Sequence, residues 1–226
     1  MGQPTAVLWA FWVWVSCRIV VSTVDETVVA ISDLARKWSF ALTSDVATRV
    51  SAYVDLLLKW NTRVNLTGAR SVADVLGDHL PDSFALSRFV PEGTAVVDVG
   101  SGGGLPGIPL AILRSDCRIT LVEPRAKRVA FLNTATRVCG CSNAVVFRSR
   151  LEGCDLARFS VAISRATFSP DEWLRVGPPL LVPGGRIILL TTTKGPSNAD
   201  GLRLVDSLQY ETASNTVRWA GCYCST

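Results

Sequence analysis

Asp98-Val99-Gly100-Ser101-Gly102-Gly103-Gly104-Leu105-Pro106-Gly107 is the most informative part of this sequence. It follows the apolar run 95–99, which is typical of a buried parallel strand, and it precedes a helical pattern over 108–113. A glycine-rich turn between a strand and a helix forms the ligand crevice of open α/β sheets, because glycine allows a tight turn and a close approach of the backbone. The segment therefore predicts an α/β fold with a ligand at this turn.

Outward from this turn, strand and helix patterns alternate along the chain. Predicted strands lie at 95–99, 118–122, 144–147, 159–163 and 186–192, with predicted helices at 108–113, 125–138 and 171–181. This alternation predicts a doubly wound, Rossmann-like α/β sheet, which we assign to residues 91–226. Its tail predicts a helix over 200–209 and one or two strands up to Cys224.

Residues 24–90 are predicted to form a helical cap in front of the sheet. Ser44 is a candidate N-cap of a helix whose apolar residues recur every three or four positions, and Ser71 is a candidate N-cap of the next. No Ser/Gly-rich linker separates cap and sheet, so one compact unit is expected. Trp60 and Trp173 are expected to pack in its core.

Composition narrows the class of protein. The 226 residues are 48% apolar and carry a net charge of +4, which excludes disorder as the main state and fits an anionic partner without demanding one. The seven cysteines include no C-x-x-C. Cys139-x-Cys141 and Cys222-x-Cys224 are spaced more closely than usual structural zinc pairs, so we expect no metal and reduced thiols in a cytoplasmic protein.

Residues 1–23 form an apolar N-terminal extension. The uninterrupted apolar run Ala6–Val15 is shorter than the roughly 18–20 residues that a spanning helix needs, and no basic residue precedes it as in a secretory signal. Three interpretations stay open: a membrane-surface anchor, an additional core helix, or an annotation artefact with a later start codon. Membrane contact by residues 6–21 is not the favoured one.

Two cofactors fit the glycine-rich turn. Gly102-x-Gly104-x-x-Gly107, with Glu123 at the end of the next strand, matches the dinucleotide fingerprint of an NAD(P)-dependent oxidoreductase. Against it, Pro106 removes a backbone donor where a pyrophosphate needs N–H groups. The overlapping frame, from Asp98 through Gly100 and Gly102, resembles the signature of class I S-adenosylmethionine-dependent methyltransferases, whose cationic cofactor suits a carboxylate-flanked loop.

Further motifs follow one another along the chain. They are Lys59-Trp60-Asn61 with Asn65-Leu66-Thr67, His79-Leu80-Pro81-Asp82-Ser83, the glycine-rich turn up to Pro109, Glu123 with Lys127-Arg128 and Phe131-Leu132, Arg150-Leu151-Glu152, Ser164-Arg165-Ala166 and Lys194-Gly195. Together they resemble the motifs of one family, the RsmG (GidB) family of 16S rRNA guanine-N7 methyltransferases. The resemblance covers about residues 25–195, in order. The apolar extension and the tail after about residue 196 do not match it.

The resemblance implies both a cofactor and a substrate. It implies S-adenosylmethionine bound by Gly100, Gly102, Leu105, Glu123 (ribose), Leu151, Glu152 (adenine side) and Arg165. Candidate RNA contacts are Lys127, Arg128 and Lys194, on 16S rRNA of the 30S ribosomal subunit. A cytoplasmic monomer is the expected form.

No catalytic residue is assigned, because guanine N7 carries a free lone pair and loses no proton on methylation. His79, the lone histidine, is expected to be buried and bonded to Asp82 or Ser83. Arg165 is expected to contact cofactor or RNA, with a structural ion pair as the alternative, and Lys127 and Arg128 fit a solvated helix face equally well. A non-catalytic RNA- or membrane-binding protein on the same fold remains a third functional class.

Overall fold

The computed structural model describes residues 26–151, 158–199 and 201–225. The extension 1–23, with its candidate membrane contact at 6–21, lies outside the described residues, as does Glu152. Within the described ranges, no helix is both long and apolar enough to cross a membrane, and no group of three or more potential metal ligands occurs.

Seven α-helices and eight strands make up the described chain. The helices are α1 (26–37), α2 (Ser44–Asn61), α3 (Val72–Asp74), α4 (Leu80–Ser87), α5 (Gly107–Leu113), α6 (Ala126–Val138) and α7 (Pro170–Val176). The strands are β1 (Ala95–Val99), β2 (Arg118–Val122), β3 (Ala144–Phe147), β4 (Phe159–Ser164), β5 (Leu181–Thr191), β6 (Asn198–Ala199), β7 (Leu202–Glu211) and β8 (Val217–Ser225). A π turn, Val75–His79, joins α3 to α4, and a 3-10 turn, Pro178–Leu180, precedes β5.

The strands form one sheet in the order β3-β2-β1-β4-β5-β8-β7-β6. β1 to β5 are parallel, and β8, β7 and β6 continue the sheet as antiparallel neighbours. The chain moves outward from β1 to β3 and then returns to the other side of β1 with β4. The carboxyl ends of β1 and β4 therefore form a topological switch point, where open α/β sheets bind ligands. The predicted doubly wound fold is confirmed.

Cap and sheet share one apolar core, which explains why no linker is needed. Ile31 of α1, Tyr53 of α2 and Phe84 of α4 are buried together with Val96 of β1 and Phe131 of α6. A second core on the opposite face of the sheet lies under α7. Trp173 is buried there, with Nε1–H donating to Ile188 O at 3.0 Å. Trp60 is half-buried against Phe131.

The predicted strand 186–192 is the longer β5, Leu181–Thr191. Three other details of the predicted elements are wrong. The predicted helix over 200–209 is strand β7, because pairing along β8 buries Leu202 and half-buries Leu204. The predicted helix up to Leu181 ends at Val176, because Pro178 and Pro179 cannot donate backbone hydrogen bonds. The N-cap of α2 is Thr43 rather than Ser44: the Thr43 hydroxyl accepts from Val46 N at 3.3 Å.

Candidate active site

A cleft of about 350 Å³ opens at the switch point of the sheet. Its floor is the glycine-rich turn after β1, and its walls come from the cap, from α6, from the segment after β4 and from β8. The lining residues are Leu66, Thr67, Gly68, His79, Gly100, Ser101, Gly102, Gly103, Leu105, Arg128, Arg165, Ala166, Thr167 and Arg218. The cleft thus joins residues from almost the whole described chain.

The glycine-rich turn lies flat against the strand ends. Gly100 N and Ser101 N both donate to Val122 O, at 2.8 and 3.1 Å, which bends the chain back over β2. Gly100 adopts a φ of +77°, and a side chain there would collide with Thr167, whose Cγ2 lies 2.7 Å from the position of a Cβ. Glycine is therefore required at this position both for its backbone angle and for space.

The segment after β4 forms the opposite wall. Ser164 Oγ donates to Val99 O at 2.8 Å and so ties the end of β4 to the end of β1. Ala166 adopts a φ of +57°, a left-handed backbone that is uncommon for residues other than glycine. Such strain concentrates at functional sites. Here it turns the chain between two cleft residues, Arg165 and Thr167.

The cap holds the glycine-rich turn from above. The buried Tyr53 hydroxyl of α2 donates to Gly103 O at 2.6 Å. Leu66 O lies so close to Gly103 that a Cβ there would meet it at 3.0 Å. Arg128 of α6 reaches across the cleft and donates to Asn65 O at 3.0 Å. The cap is therefore part of the cleft and not an independent module.

Asn61 fixes the loop that carries these cap residues. Its side-chain amide donates to Thr67 O at 2.9 Å and to Ala69 O at 3.0 Å, and its carbonyl accepts from Leu66 N and Thr67 N. One side chain thus uses both its donors and both its acceptor sites on a single loop. The loop is held before any ligand arrives.

Glu123 lies beneath the turn and is 2% exposed. Its Oε2 accepts from Gly102 N at 3.0 Å, and its Oε1 accepts from Arg125 N at 2.9 Å. Arg128 Nη1 lies 3.9 Å from Oε2. Glu123 is not among the residues that line the cleft. Its first role in this structure is to hold Gly102, and each oxygen keeps a further lone pair for a ligand.

Asp98 faces away from the cleft, contrary to the expectation that its carboxylate would flank a cationic ligand. It is 1% exposed and lies against Gly107 at the start of α5, where a Cβ would meet Oδ2 at 2.5 Å. Among the described residues, neither oxygen has a well-formed hydrogen bond. Burial raises the pKa of Asp98 from 3.8 to about 7, with Ser101 and Arg165 lowering it in part.

A buried carboxylate organises the charged wall of the cleft. Asp82 of α4 is 0% exposed, and its Oδ2 accepts from Arg165 Nη1 at 2.9 Å and from Arg218 Nη1 at 2.8 Å. Its Oδ1 accepts from the Tyr210 hydroxyl at 2.7 Å. Burial, followed by the charge of Asp82, raises the pKa of Tyr210, so the phenol stays protonated as donor. Asp82 thereby positions two guanidinium groups at the cleft.

His79, the last residue of the π turn, extends this network, and the expected bond to Asp82 or Ser83 is wrong. Its Nδ1 lies 3.1 Å from Arg165 Nη1, and its Nε2 lies 3.2 Å from Thr67 Oγ1. A guanidinium can only donate, so Nδ1 accepts and Nε2–H donates to Thr67. Burial, and then the charge of Arg165, lowers the pKa of His79 below 6.5, so the ring is neutral at neutral pH.

The other candidate residues lie further from the cleft. Lys127 is exposed in the first turn of α6, and Lys194 is exposed between β5 and β6. Leu151 is half-buried against the core under α7, and Glu152 lies outside the described residues. The charged residues among the described lining are Arg128, Arg165 and Arg218. Asp82 pairs with two of them and Glu123 lies close to the third, so three cations against two carboxylates leave the cleft a small positive excess. Arg165 forms an ion pair with Asp82, which was the alternative, and it also lines the cleft. Its contact with cofactor or RNA stays a prediction.

Sequence reasoning missed Arg218 and the role of the tail. Arg218 lies in β8, in a part of the chain where no motif was recognised, and only strand pairing with β5 and β7 carries it to the cleft. Thr167 was also missed, although it directly follows the Ser164-Arg165-Ala166 motif. The cap loop was found, since Asn65-Leu66-Thr67 belongs to the motifs quoted above.

The fold and the cleft define an S-adenosylmethionine-dependent methyltransferase of the Rossmann-like class. A solved S-adenosylmethionine-dependent methyltransferase from Aquifex aeolicus has the same fold, with a TM-score of 0.55, 16% sequence identity and coverage of 75% of this chain and 98% of its own. A solved 1,6-didemethyltoxoflavin-N1-methyltransferase from Burkholderia thailandensis matches with a TM-score of 0.52 and 18% identity, over 65% of this chain and 77% of its own.

The chain belongs to the rRNA small subunit methyltransferase G (GidB) family, whose model matches residues 47–216. The ribosomal RNA small subunit methyltransferase G of Ralstonia nicotianae is 40% identical over 151 residues, which are 63% of this chain and 68% of the relative. That of Anaeromyxobacter dehalogenans is 35% identical over 187 residues, 76% and 86% of the two chains. Family membership decides against the oxidoreductase and the non-catalytic alternatives.

Proposed function

We propose that this protein transfers a methyl group from S-adenosylmethionine to N7 of a guanine in 16S rRNA of the small ribosomal subunit. The observation that carries the proposal is the glycine-rich cleft at the switch point, in a chain of the rRNA small subunit methyltransferase G family. The electropositive wall of this cleft supports an anionic substrate such as RNA. We also propose that the protein acts as a monomer in the cytoplasm, where the ribosome is found.

The cleft suits the proposed cofactor. Gly100 and Gly102 leave bare backbone along its floor, and Leu105 adds an apolar side chain. These three residues would hold the cofactor, with Arg165 at its methionine end. By the family resemblance, Leu151 and Glu152 would lie beside the adenine. Glu123 would reach the ribose through the lone pairs that Gly102 and Arg125 leave free.

S-adenosylmethionine supplies an electrophilic methyl group when bound. Guanine N7 is already unprotonated, so the protein has no proton to remove. The one hydroxyl–imidazole contact described in the cleft, Thr67 with His79, fits this reaction, because His79 donates to Thr67 and is therefore not placed to act as its base. The contribution of the chain is therefore to hold and orient both partners. Arg165 and Arg218, fixed by Asp82, hold anionic groups at the cleft, and neutral His79 keeps Arg165 in place.

The test uses 30S subunits that lack guanine-N7 methylation, labelled S-adenosylmethionine and mapping of the modified base. Label at a single guanine N7 is the expected result. Label on another atom or on another RNA would refute the substrate assignment. Binding of S-adenosylhomocysteine without any label on 30S subunits would support the cofactor assignment and refute the substrate assignment.

A further inference from the structure

A second surface, outside the cleft, has the chemistry of an RNA contact. Residues 56–73 contain three cations, Lys59, Arg63 and Arg70, and are flanked by Asp55 and Asp74. Asp74 accepts from backbone N–H groups, among them Arg70 N at 2.8 Å. All three side chains are exposed. None of them pairs with a carboxylate among the described residues. We call Lys59, Trp60, Arg63 and Arg70 the cap-side cationic face.

An apolar pocket lies within this face. It has a volume of about 300 Å³ and is lined by Lys59, Trp60, Thr62, Arg63 and Val64. The Trp60 ring is fixed by edge-to-face packing on Phe131, with 5.7 Å between ring centroids. A rigid aromatic side chain between cations is the arrangement by which proteins hold unpaired nucleotides, because bases stack on the ring and phosphates meet the cations.

The face is rigid and adjoins the cleft. The Asn61 side chain bonds the backbone from Leu66 to Ala69, so the loop between Arg63 and Arg70 is ordered in advance and binding costs little conformational entropy. Residues 66–68, which belong to the same loop, also line the cleft. An RNA strand that enters the cleft would therefore pass over this loop.

We propose that the cap-side cationic face docks an unpaired segment of the substrate RNA, with one base in the pocket beside Trp60 and phosphates on Lys59, Arg63 and Arg70. The inference rests on the proposed function, which supplies RNA as the partner. An ordinary solvated surface would account for the charges alone, and Lys59 also lies favourably in the last turn of α2. It would not account for a pocket with an aromatic wall between unpaired cations.

The first test replaces two cations together, as Lys59→Gln/Arg63→Gln. RNA binding is measured at several salt concentrations on 30S subunits and on protein-free 16S rRNA, alongside KM and kcat of methyl transfer. For two lost phosphate contacts, the slope of log affinity against log salt should fall by about 1.4, and KM should rise about tenfold. The kcat and the affinity for S-adenosylhomocysteine should stay unchanged.

The matched control is Arg137→Gln/Arg203→Gln, which removes the same charge from two exposed arginines elsewhere. Arg137 is the helix-end equivalent of Lys59, in the last turn of α6, and Arg203 lies on β7. This variant should keep the wild-type salt slope. The pocket is tested separately with Trp60→Phe, which keeps a ring and should bind RNA nearly normally, and Trp60→Leu, which should bind it about tenfold more weakly.

An unchanged salt slope in the first variant overturns the proposal. So does a loss on 30S subunits without a loss on 16S rRNA, which would assign the face to a ribosomal protein. A fall in kcat at constant KM would move these residues into the cleft and also overturn it. If the wild type transfers no methyl group, the proposed function fails, and the binding measurements still decide the docking surface.

Discussion

Replacing Gly100 by alanine should weaken cofactor binding in a protein that still folds. Gly100 has a φ of +77°, which costs an alanine about 1–2 kcal/mol. The new Cβ would also lie 2.7 Å from Thr167 Cγ2 and 2.8 Å from Thr167 Cβ, so either the turn or the 165–167 segment must move. With this collision added, alanine costs about 3 kcal/mol if the turn stays in place. We expect the turn to move instead, so the cofactor has to restore it on binding, and the affinity should fall by up to about 100-fold.

The assay is calorimetric titration with S-adenosylhomocysteine, with thermal unfolding measured alongside. The control is Gly93→Ala, at a φ of +66° with nothing within 4 Å, which should lose about 1 kcal/mol of stability and no affinity. Gly100→Ala/Thr167→Gly removes the collision and keeps the backbone strain, so affinity should return to within about tenfold of that of Thr167→Gly alone.

Wild-type affinity in Gly100→Ala would refute the assignment of this turn as the cofactor floor. A double variant as weak as the single one would show that Thr167 is not the obstacle and that the cofactor itself meets the new methyl group.

Three further perturbations follow from the buried charges. Asp98→Asn should reduce the pH dependence of stability. Burial raises the folded-state pKa of Asp98 to about 7, so with respect to this group the cofactor-free wild type is most stable below about pH 4. Its unfolding free energy should fall by up to about 4 kcal/mol as the pH rises from there to about 7. The unfolding free energy is measured by urea denaturation at pH 5 and pH 8. An equal change between the two pH values in the wild type and in Asp98→Asn would contradict this. Asp82→Asn should cost about 3–5 kcal/mol of unfolding free energy, since two guanidinium groups lose their common partner, against about 1–2 kcal/mol for Tyr210→Phe; equal losses in urea melts would argue against the network. Arg165→Ala should slow methyl transfer and remain folded, because Arg218 still pairs with Asp82; full activity would remove Arg165 from the site.

The sequence was sufficient for the parallel strands of the sheet and for the floor of the cleft. The bounds of β1, β2 and β3 agree with the predicted ones residue for residue. Buried parallel strands appear in a sequence as short β-branched runs bounded by turns. The glycine-rich turn is equally local, because its backbone angles themselves require glycine. Both signals are contained within about ten residues of sequence.

The charged wall of the cleft was not predictable in the same way. Asp82 meets Arg165 at a separation of 83 residues and Arg218 at a separation of 136. No local sequence pattern predicts such a partner. Arg218, for example, reaches Asp82 only because its strand β8 pairs with β5. The tail failed for a related reason: helical and strand patterns are close to balanced over 200–209, and the partner strand β8 decided between them.

Because β8 follows the other seven described strands along the chain, it affects the order in which a newly made molecule can acquire its site. The glycine-rich turn, the cap and Arg165 have all left the ribosome before Arg218 and the strand that carries it. Until then Asp82 has one of its two cations and lacks the Tyr210–β8 pairing that encloses it. A chain that stops a dozen residues early would lack β8, with its buried Trp219 and Tyr223 as well as Arg218, so the core and the wall of the cleft are both completed only when this strand has been made.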